Sequence, residues 1–208
     1  MTLQTINWKI EHDIGLLILD QPPANTMTPL FFKELSILTR EIIPQSAIKA
    51  LIIYGNGRHF SSGADPYELM NLIIANLPSA YPKKLPYFLE ETAQSFLFFE
   101  KLLIPSFAAI RGACFGSAME LALFCTYRIC ADGAVLGFPE TSFGLMPGCG
   151  GSVKLPAIVG RAKALELIIS GRNFSASEAY NWGIVHKIVH RKILIGETMK
   201  MATEMINR

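Results

Sequence analysis

Residues 111–122 have the sequence Arg-Gly-Ala-Cys-Phe-Gly-Ser-Ala-Met-Glu-Leu-Ala, which predicts a turn of small residues between a strand and a helix. The apolar residues 106–110 favour a buried strand before it, and residues 119–124 favour a short apolar helix. The first N–H groups of a helix have no partner inside the helix and can bind an anionic oxygen, and Ser117 is placed to offer one. Glu120 falls in the first helical turn among apolar neighbours, where we expect a partly desolvated carboxylate. The simpler alternative is a glutamate that only favours the helix dipole.

A second segment of small residues lies upstream, at residues 60–65, with the sequence Phe-Ser-Ser-Gly-Ala-Asp. It follows a Gly-Asn-Gly turn and the apolar residues 50–54, which predict a buried strand. Small residues let a ligand come close to the main chain, so the N–H of Ala64 is a candidate donor to an acyl oxygen, with Asp65 fixing the turn. The alternative is a plain loop in which Asp65 caps the next helix.

A third segment, residues 136–141 with the sequence Leu-Gly-Phe-Pro-Glu-Thr, places Glu140 just past a predicted strand. Two carboxylates suggest general acid/base chemistry, and two turns of small residues suggest a pair of N–H groups that stabilise one oxyanion. Glu140 could instead cap a turn. The sequence does not show by itself that Glu120 and Glu140 meet in space.

Strands and helices alternate along the chain, which predicts the α/β class. The predicted strands are residues 6–10, 16–19, 50–54, 106–110, 127–131, 134–136 and 184–189. The first predicted helix begins at Pro29, with Thr28 as its cap, and stops before Pro44. The other predicted helices are residues 67–75, 87–103 and 119–124, several after Gly151 including one with a capping box at Ser175 and Glu178, and residues 191–206. Three prolines within residues 76–86 predict a mobile or irregular connection.

Composition excludes several function classes. Of the 208 residues half are hydrophobic and 17% are charged, and the net charge is +2, which excludes disorder and supports neither nucleic-acid binding nor a membrane partner. No apolar run is long enough for a membrane-spanning helix, and we see no signal peptide, dinucleotide-binding glycine motif or P-loop. The cysteines lack zinc-site spacing, so we expect buried free thiols in a reducing, cytoplasmic compartment; they are Cys114, Cys125, Cys130 and Cys149.

The ordered set of segments resembles the enoyl-CoA hydratase/isomerase, or crotonase, superfamily over about residues 5–206. No single segment is specific, but their order is. The segments that carry the resemblance are residues 23–27 (Pro-Ala-Asn-Thr-Met), 60–65, 111–122, 138–140 (Phe-Pro-Glu), 144–151 (Gly-Leu-Met-Pro-Gly-Cys-Gly-Gly), 160–164 and 179–185.

The resemblance implies a crotonase-like ββα spiral with surrounding helices. Residues 1–190 would form this core, and residues 191–208 a C-terminal helix, truncated relative to the family's helical tail. It also implies an acyl-CoA substrate, of which coenzyme A is a part, with no metal and no separate cofactor. Because the family commonly forms trimers or dimers of trimers, a homo-oligomer is expected.

Carried over by position, the resemblance makes Glu120 and Glu140 the catalytic residues and the N–H groups of Ala64 and Ser117 the oxyanion hole. Since hydratases of the family have both glutamates, it favours hydration of trans-2-enoyl-CoA to 3-hydroxyacyl-CoA. Glu120 would hold and deprotonate the water, and Glu140 would deliver a proton to the α-carbon. The further substrate-binding residues would be Ser62, Gly63, Asp65, Gly116 and Gly148.

Three positions depart from the family pattern. Ser117 and Ala118 stand where the family often has consecutive glycines; we expect the serine N–H still to donate and Ala118 to add a methyl near the acyl chain. His59 replaces a small residue, and we expect it at the surface. Two alternatives stay open: isomerisation, decarboxylation or dehydration of CoA or carrier-protein thioesters, and a non-catalytic protein that binds acyl thioesters.

Overall fold

The computed structural model describes residues 3–76 and 87–207, whose strands form two sheets. The predicted irregular connection at residues 76–86 lies, apart from Asn76, outside the described residues. The strands are β1 (Ile6–Glu11), β2 (Ile14–Leu19), β3 (Ala50–Gly55), β4 (Ser106–Ile110), β5 (Ala113–Phe115), β6 (Tyr127–Ala131), β7 (Val135–Gly137), β8 (Phe174–Ser175) and β9 (Lys187–Val189). The helices are α1 (Pro29–Ile37), α2 (Pro66–Asn76), α3 (Tyr87–Lys101), α4 (Ser117–Leu123), α5 (Gly151–Val159), α6 (Arg161–Ser170), α7 (Ala176–Asn181) and α8 (Leu194–Ile206).

The larger sheet has six strands in the order β1-β2-β3-β4-β6-β9. β1 runs antiparallel to β2 at one edge, and the other neighbours are parallel. All residues of β2 and β4 are buried, as are all of β3 except the half-buried Tyr54. Continuous apolar runs of this kind are typical of parallel strands that are covered on both faces. The α/β class predicted from the sequence is confirmed.

The smaller sheet, in the order β5-β7-β8, arises from a repeated unit. β4 and β6 lie in the larger sheet, and each is followed at once by a short strand of the smaller sheet, β5 or β7, and then by a helical segment. After β3 the second strand is reduced to single bridges, from Ser61 to Cys114 and from Ala64 to Met27. Residues 60–64 therefore lie beside β5, which is part of the segment of small residues at 111–122.

The predicted start of α1 is confirmed. The Thr28 hydroxyl accepts a hydrogen bond from the N–H of Phe31 at 3.3 Å, and Pro29 occupies the first helical position. The helix continues as a π-helical turn and a 3₁₀ turn up to Gln45. The capping box of α7, in which Ser175 and Glu178 satisfy each other's N–H groups, is also confirmed.

Two of the element boundaries that differ from the prediction have a clear local cause. α4 begins at Ser117 instead of residue 119, because Gly116 takes a φ of +54° and turns the chain directly from β5 into the helix. β9 begins at Lys187 instead of residue 184, because the N–H groups of Ile184 and Val185 donate to the Ala179 carbonyl at the end of α7.

The core consists of one apolar cluster on each face of the larger sheet. β3 contributes to both, since Leu51 and Ile53 point to one face and Ala50 and Ile52 to the other. α8 packs across β3, β4 and β6 on the second face.

The four cysteines are buried free thiols, as predicted. The boundary predicted at residue 190 stays a prediction. Within residues 3–76 and 87–207, no helix is both long and apolar enough to span a bilayer.

Candidate active site

A cavity of about 720 Å³ lies where the three segments of small residues come together. Its remaining wall is mostly apolar and includes Phe32, Leu69, Phe143 and Met146. The predicted site residues that line it are Ser62, Ala64, Asp65, Gly116, Ser117, Glu120, Glu140 and Gly148. Gly63 does not line the cavity, because it is buried behind the wall, where its carbonyl accepts the N–H of Met27.

The loop that leads into the segment at residues 60–65 is held by Asn25, a buried residue whose role the sequence does not indicate. Its side-chain amide donates to the carbonyls of Asn56 at 2.8 Å and His59 at 3.0 Å, and its oxygen accepts the N–H of Gln21. Asn25 itself takes a φ of +50°. Asparagine tolerates this left-handed conformation better than other residues with a side chain, which is the one local signal for its role.

Asp65 serves as the cap of α2. One carboxylate oxygen accepts the N–H groups of Tyr67 at 2.8 Å and Glu68 at 3.0 Å. It therefore fixes the turn next to Ala64, as both interpretations of the sequence had it, and it also lines the cavity.

The two proposed oxyanion donors are neighbours. The N–H of Ala64 donates to the side-chain oxygen of Ser117 at 2.8 Å, so in this structure it is already hydrogen-bonded. The N–H of Ser117, the first of α4, donates to no acceptor among the described residues. Ala118 is fully buried in the core and is absent from the cavity wall, so the expectation of a methyl near the acyl chain is wrong.

Glu120 is buried with 2% exposure and is bound by the loop that precedes α5. Its Oε1 accepts the N–H groups of Cys149 at 2.9 Å and Gly151 at 2.7 Å. A Cβ on Gly151 would lie 2.9 Å from Glu120 Cγ, so only glycine fits there. Burial, followed by the nearby Glu140 charge, raises the pKa of Glu120 to about 8, although the two N–H donors oppose this shift. The sequence analysis named Gly148 in this loop and missed the two donors.

Glu140 begins the 3₁₀ turn Pro139–Phe143 directly after β7. Its Oε2 is buried and has no hydrogen-bond partner, and desolvation raises the pKa of the carboxyl to about 7. A Cβ on Gly116 would lie 3.1 Å from Glu140 Oε1, so the carboxyl packs on the turn that begins α4. Among the described residues no cation forms a salt bridge with Glu120 or Glu140, and burial therefore dominates both shifts.

His59 lies outside this cavity and is half-buried, so its expected position at the surface holds only in part. Its Nδ1 accepts the N–H of Ala113 at 3.0 Å, which joins the residue before the segment at 60–65 to β5. Arg58 is exposed. Within the described residues, no group of three or more His, Cys, Asp or Glu side chains is arranged to hold a metal ion.

Comparison with known proteins agrees with this architecture. Residues 9–208 match the family model for enoyl-CoA hydratase/isomerase. A Bacillus subtilis (strain 168) protein named "probable enoyl-CoA hydratase" is 37% identical over 183 residues, which cover 88% of this chain and 68% of that protein. The crystal structure of enoyl-CoA hydratase from Bacillus anthracis superimposes with a TM-score of 0.84 at 29% identity, over 98% of this chain and 77% of that one.

A Thermobifida fusca YX protein solved in complex with CoA gives a TM-score of 0.85 at 27% identity and covers 98% of this chain and 79% of that one. These likenesses define a crotonase-like protein, and the predicted ββα spiral with surrounding helices is confirmed. The chain belongs to the enoyl-CoA hydratase/isomerase family.

Proposed function

We propose that the protein hydrates trans-2-enoyl-CoA to 3-hydroxyacyl-CoA. The observation that carries this proposal is a pair of carboxyl groups in one cavity, the buried Glu120 and the partly buried Glu140, with raised pKa values of about 8 and about 7. Hydration needs one group to take a proton from water and another to give a proton to carbon. A pair that shares one proton near neutral pH can do both.

The acidic and basic roles follow from the hydrogen bonds of the two carboxyls. Two N–H donors favour the ionised form of Glu120, whereas the buried Oε2 of Glu140 has none. When Glu140 carries the shared proton, its repulsion of Glu120 disappears, and this lowers the pKa of Glu120. We assign the base to Glu120 and the acid to Glu140 on these hydrogen bonds, although burial gives Glu120 the higher pKa of the pair.

In the proposed reaction the thioester oxygen binds the N–H groups of Ala64 and Ser117, which stabilise the negative charge that develops on it. Water loses a proton to Glu120 as its oxygen bonds to the β-carbon, and the α-carbon takes the proton of Glu140. The mostly apolar wall suits an acyl chain, and the CoA complex of the Thermobifida fusca relative supports CoA as the carrier. No metal and no separate cofactor take part in this scheme.

Glutamine at each acid tests the proposal. In Glu120→Gln and Glu140→Gln we expect hydration of crotonyl-CoA, followed by the loss of enoyl-thioester absorbance, to fall roughly 100-fold or more. Glu204→Gln, at an exposed position of α8, is the matched control and should keep full activity. Unchanged turnover in both active-site variants would reject the assignment.

Isomerisation of the double bond is the second candidate, because the family model covers both activities. An isomerase can move a proton with one carboxyl, and the unpartnered oxygen of Glu140 suits that role. With 3-enoyl-CoA as the substrate, an isomerase keeps activity in Glu120→Gln and loses it in Glu140→Gln, whereas hydration of 2-enoyl-CoA needs both glutamates.

We also propose that the protein forms a homo-oligomer, either a trimer or a hexamer. We further propose a cytoplasmic location, which the free thiols support.

A further inference from the structure

The Ser117 hydroxyl occupies the position in which the proposed function places the thioester oxygen. Its oxygen lies 2.8 Å from the N–H of Ala64, the first proposed oxyanion donor. The side chain is only 7% exposed and lines the cavity. The hydroxyl thus makes, inside the protein, the hydrogen bond that a bound acyl oxygen would make.

A second contact fixes the orientation of this hydroxyl. It donates to Sδ of the buried Met27 at 3.4 Å while its oxygen accepts from Ala64. A thioether is a weak acceptor, so the contact orients the hydroxyl without holding it strongly. The side chain can therefore leave the Ala64 N–H by rotating about χ1 when a better acceptor arrives.

We propose that the Ser117 hydroxyl is an internal occupant of the oxyanion hole, which an acyl thioester must displace in order to bind. This inference rests on the proposed function, because it takes Ala64 and Ser117 as the oxyanion donors. Displacement breaks the hydrogen bond from the Ala64 N–H to the Ser117 hydroxyl before the thioester oxygen can accept from Ala64. The free-energy cost of breaking it is the same for the bound substrate and for the transition state. Ser117 is thereby a determinant of affinity: its hydroxyl raises KM and leaves kcat nearly unchanged.

The test is equilibrium binding of butyryl-CoA, a saturated thioester that cannot be hydrated. In Ser117→Ala and Ser117→Gly the hydroxyl is absent and the Ala64 N–H is free, so we expect about 3- to 10-fold tighter binding, as one net hydrogen bond allows. KM for crotonyl-CoA should fall by a similar factor while kcat changes less than about 2-fold. The matched control is Ser95→Ala, a buried serine outside the cavity wall whose hydroxyl bonds, within residues 3–76 and 87–207, to the Glu91 carbonyl of its own helix.

Weaker or equal binding in both Ser117 variants would overturn the proposal. The ¹³C chemical shift of butyryl-CoA labelled at its carbonyl carbon tests the opposite role, in which the Ser117 hydroxyl donates to the bound thioester oxygen. If it donated to the bound oxygen, the carbonyl would be less polarised in Ser117→Ala and its ¹³C shift would move upfield. Displacement predicts the same shift in both proteins.

The two proposals fail in different ways. If the protein hydrates no enoyl-CoA but its Ser117→Ala variant binds butyryl-CoA more tightly, this inference holds and the proposed hydration is rejected. If the protein is an active hydratase but its Ser117→Ala variant binds butyryl-CoA more weakly, the proposed function holds and this inference is rejected.

Discussion

At the scale of single residues, burial and backbone N–H groups govern the chemistry of this cavity. Glu120 and Glu140 have raised pKa values because water is excluded from their carboxyls, and Glu140 further raises the pKa of Glu120. Cys149 and Gly151 hold Glu120 in place without adding a positive charge. The pair can therefore carry a proton near neutral pH, which ordinary surface glutamates cannot do.

The raised pKa of Glu120 makes folding stability depend on pH. Between about pH 4.5 and 8 the unfolded chain ionises both glutamates, whereas the folded protein keeps at least one proton on the Glu120–Glu140 pair, so the folded state binds more protons and loses stability as the pH rises. In Glu120→Gln the amide oxygen can still accept from Cys149 and Gly151. We expect this variant to be more stable than the natural protein at pH 8, by roughly 2 to 4 kcal/mol, with little difference near pH 5.

Urea unfolding at several pH values measures this difference. Glu204→Gln, in which the exchanged carboxyl is exposed, should show no such trend. A Glu120→Gln protein that is less stable than the natural one at pH 8 would contradict the prediction.

At the scale of elements, the smaller sheet and a glycine beside it bring the two proposed oxyanion donors together. Gly63 takes a φ of +81°, and a Cβ there would clash with the Phe115 carbonyl of β5 while lying 3.4 Å from the Ser117 nitrogen. The close approach of residues 60–64 to β5 therefore depends on the absence of a side chain at this position. The same approach places Ala64 within hydrogen-bonding distance of Ser117.

Gly63→Ala tests this close approach against Gly183→Ala. Gly183 has a similar φ of +75°, but a Cβ there meets no atom within 4 Å, so this control isolates the cost of the backbone conformation. We expect Gly183→Ala to lose about 1 kcal/mol of unfolding free energy and Gly63→Ala at least about 2 kcal/mol, together with weaker butyryl-CoA binding. Equal losses in denaturant unfolding would mean that the segments can separate at little cost.

At the scale of the whole molecule, repetition of the strand–strand–helix unit sets the position of the cavity. The segments at residues 60–65, 111–122 and 136–141 are far apart in the sequence but contain residues that pair in the smaller sheet or bridge to it. The larger sheet is buried on both faces and supports them, since α8 covers the face opposite the main core cluster. The site is thus made by stacking of units, not by any one of them.

Exposed apolar side chains predict self-association of the whole molecule. Leu103 is fully exposed, and Val153 and Ile169 are 72% and 69% exposed. Apolar surface of this kind gains free energy when it is buried between subunits. We expect light scattering to give three or six times the mass of the chain. A monomer at all concentrations tested would contradict this expectation.

Local patterns were sufficient for much of the fold. The cap and proline at Thr28 and Pro29 and the capping box at Ser175 and Glu178 gave correct helix starts, because they act through neighbours in the chain. The predictions failed where the decision was not local. The chain between Ile184 and Val189 is apolar at four of its six positions, but its first residues bond to α7 and only the last three join the sheet.

The sequence by itself determined the α/β class, the order of the segments and the identity of the acidic residues. Only the tertiary structure decided that Glu120 and Glu140 share one cavity and that Cys149 and Gly151 hold the first of them. It alone placed the Ser117 hydroxyl on the Ala64 N–H. The reason is physical: strand pairing, helix capping and hydrophobic periodicity are written in neighbouring residues, whereas desolvation and hydrogen bonds between segments depend on how distant parts of the chain pack.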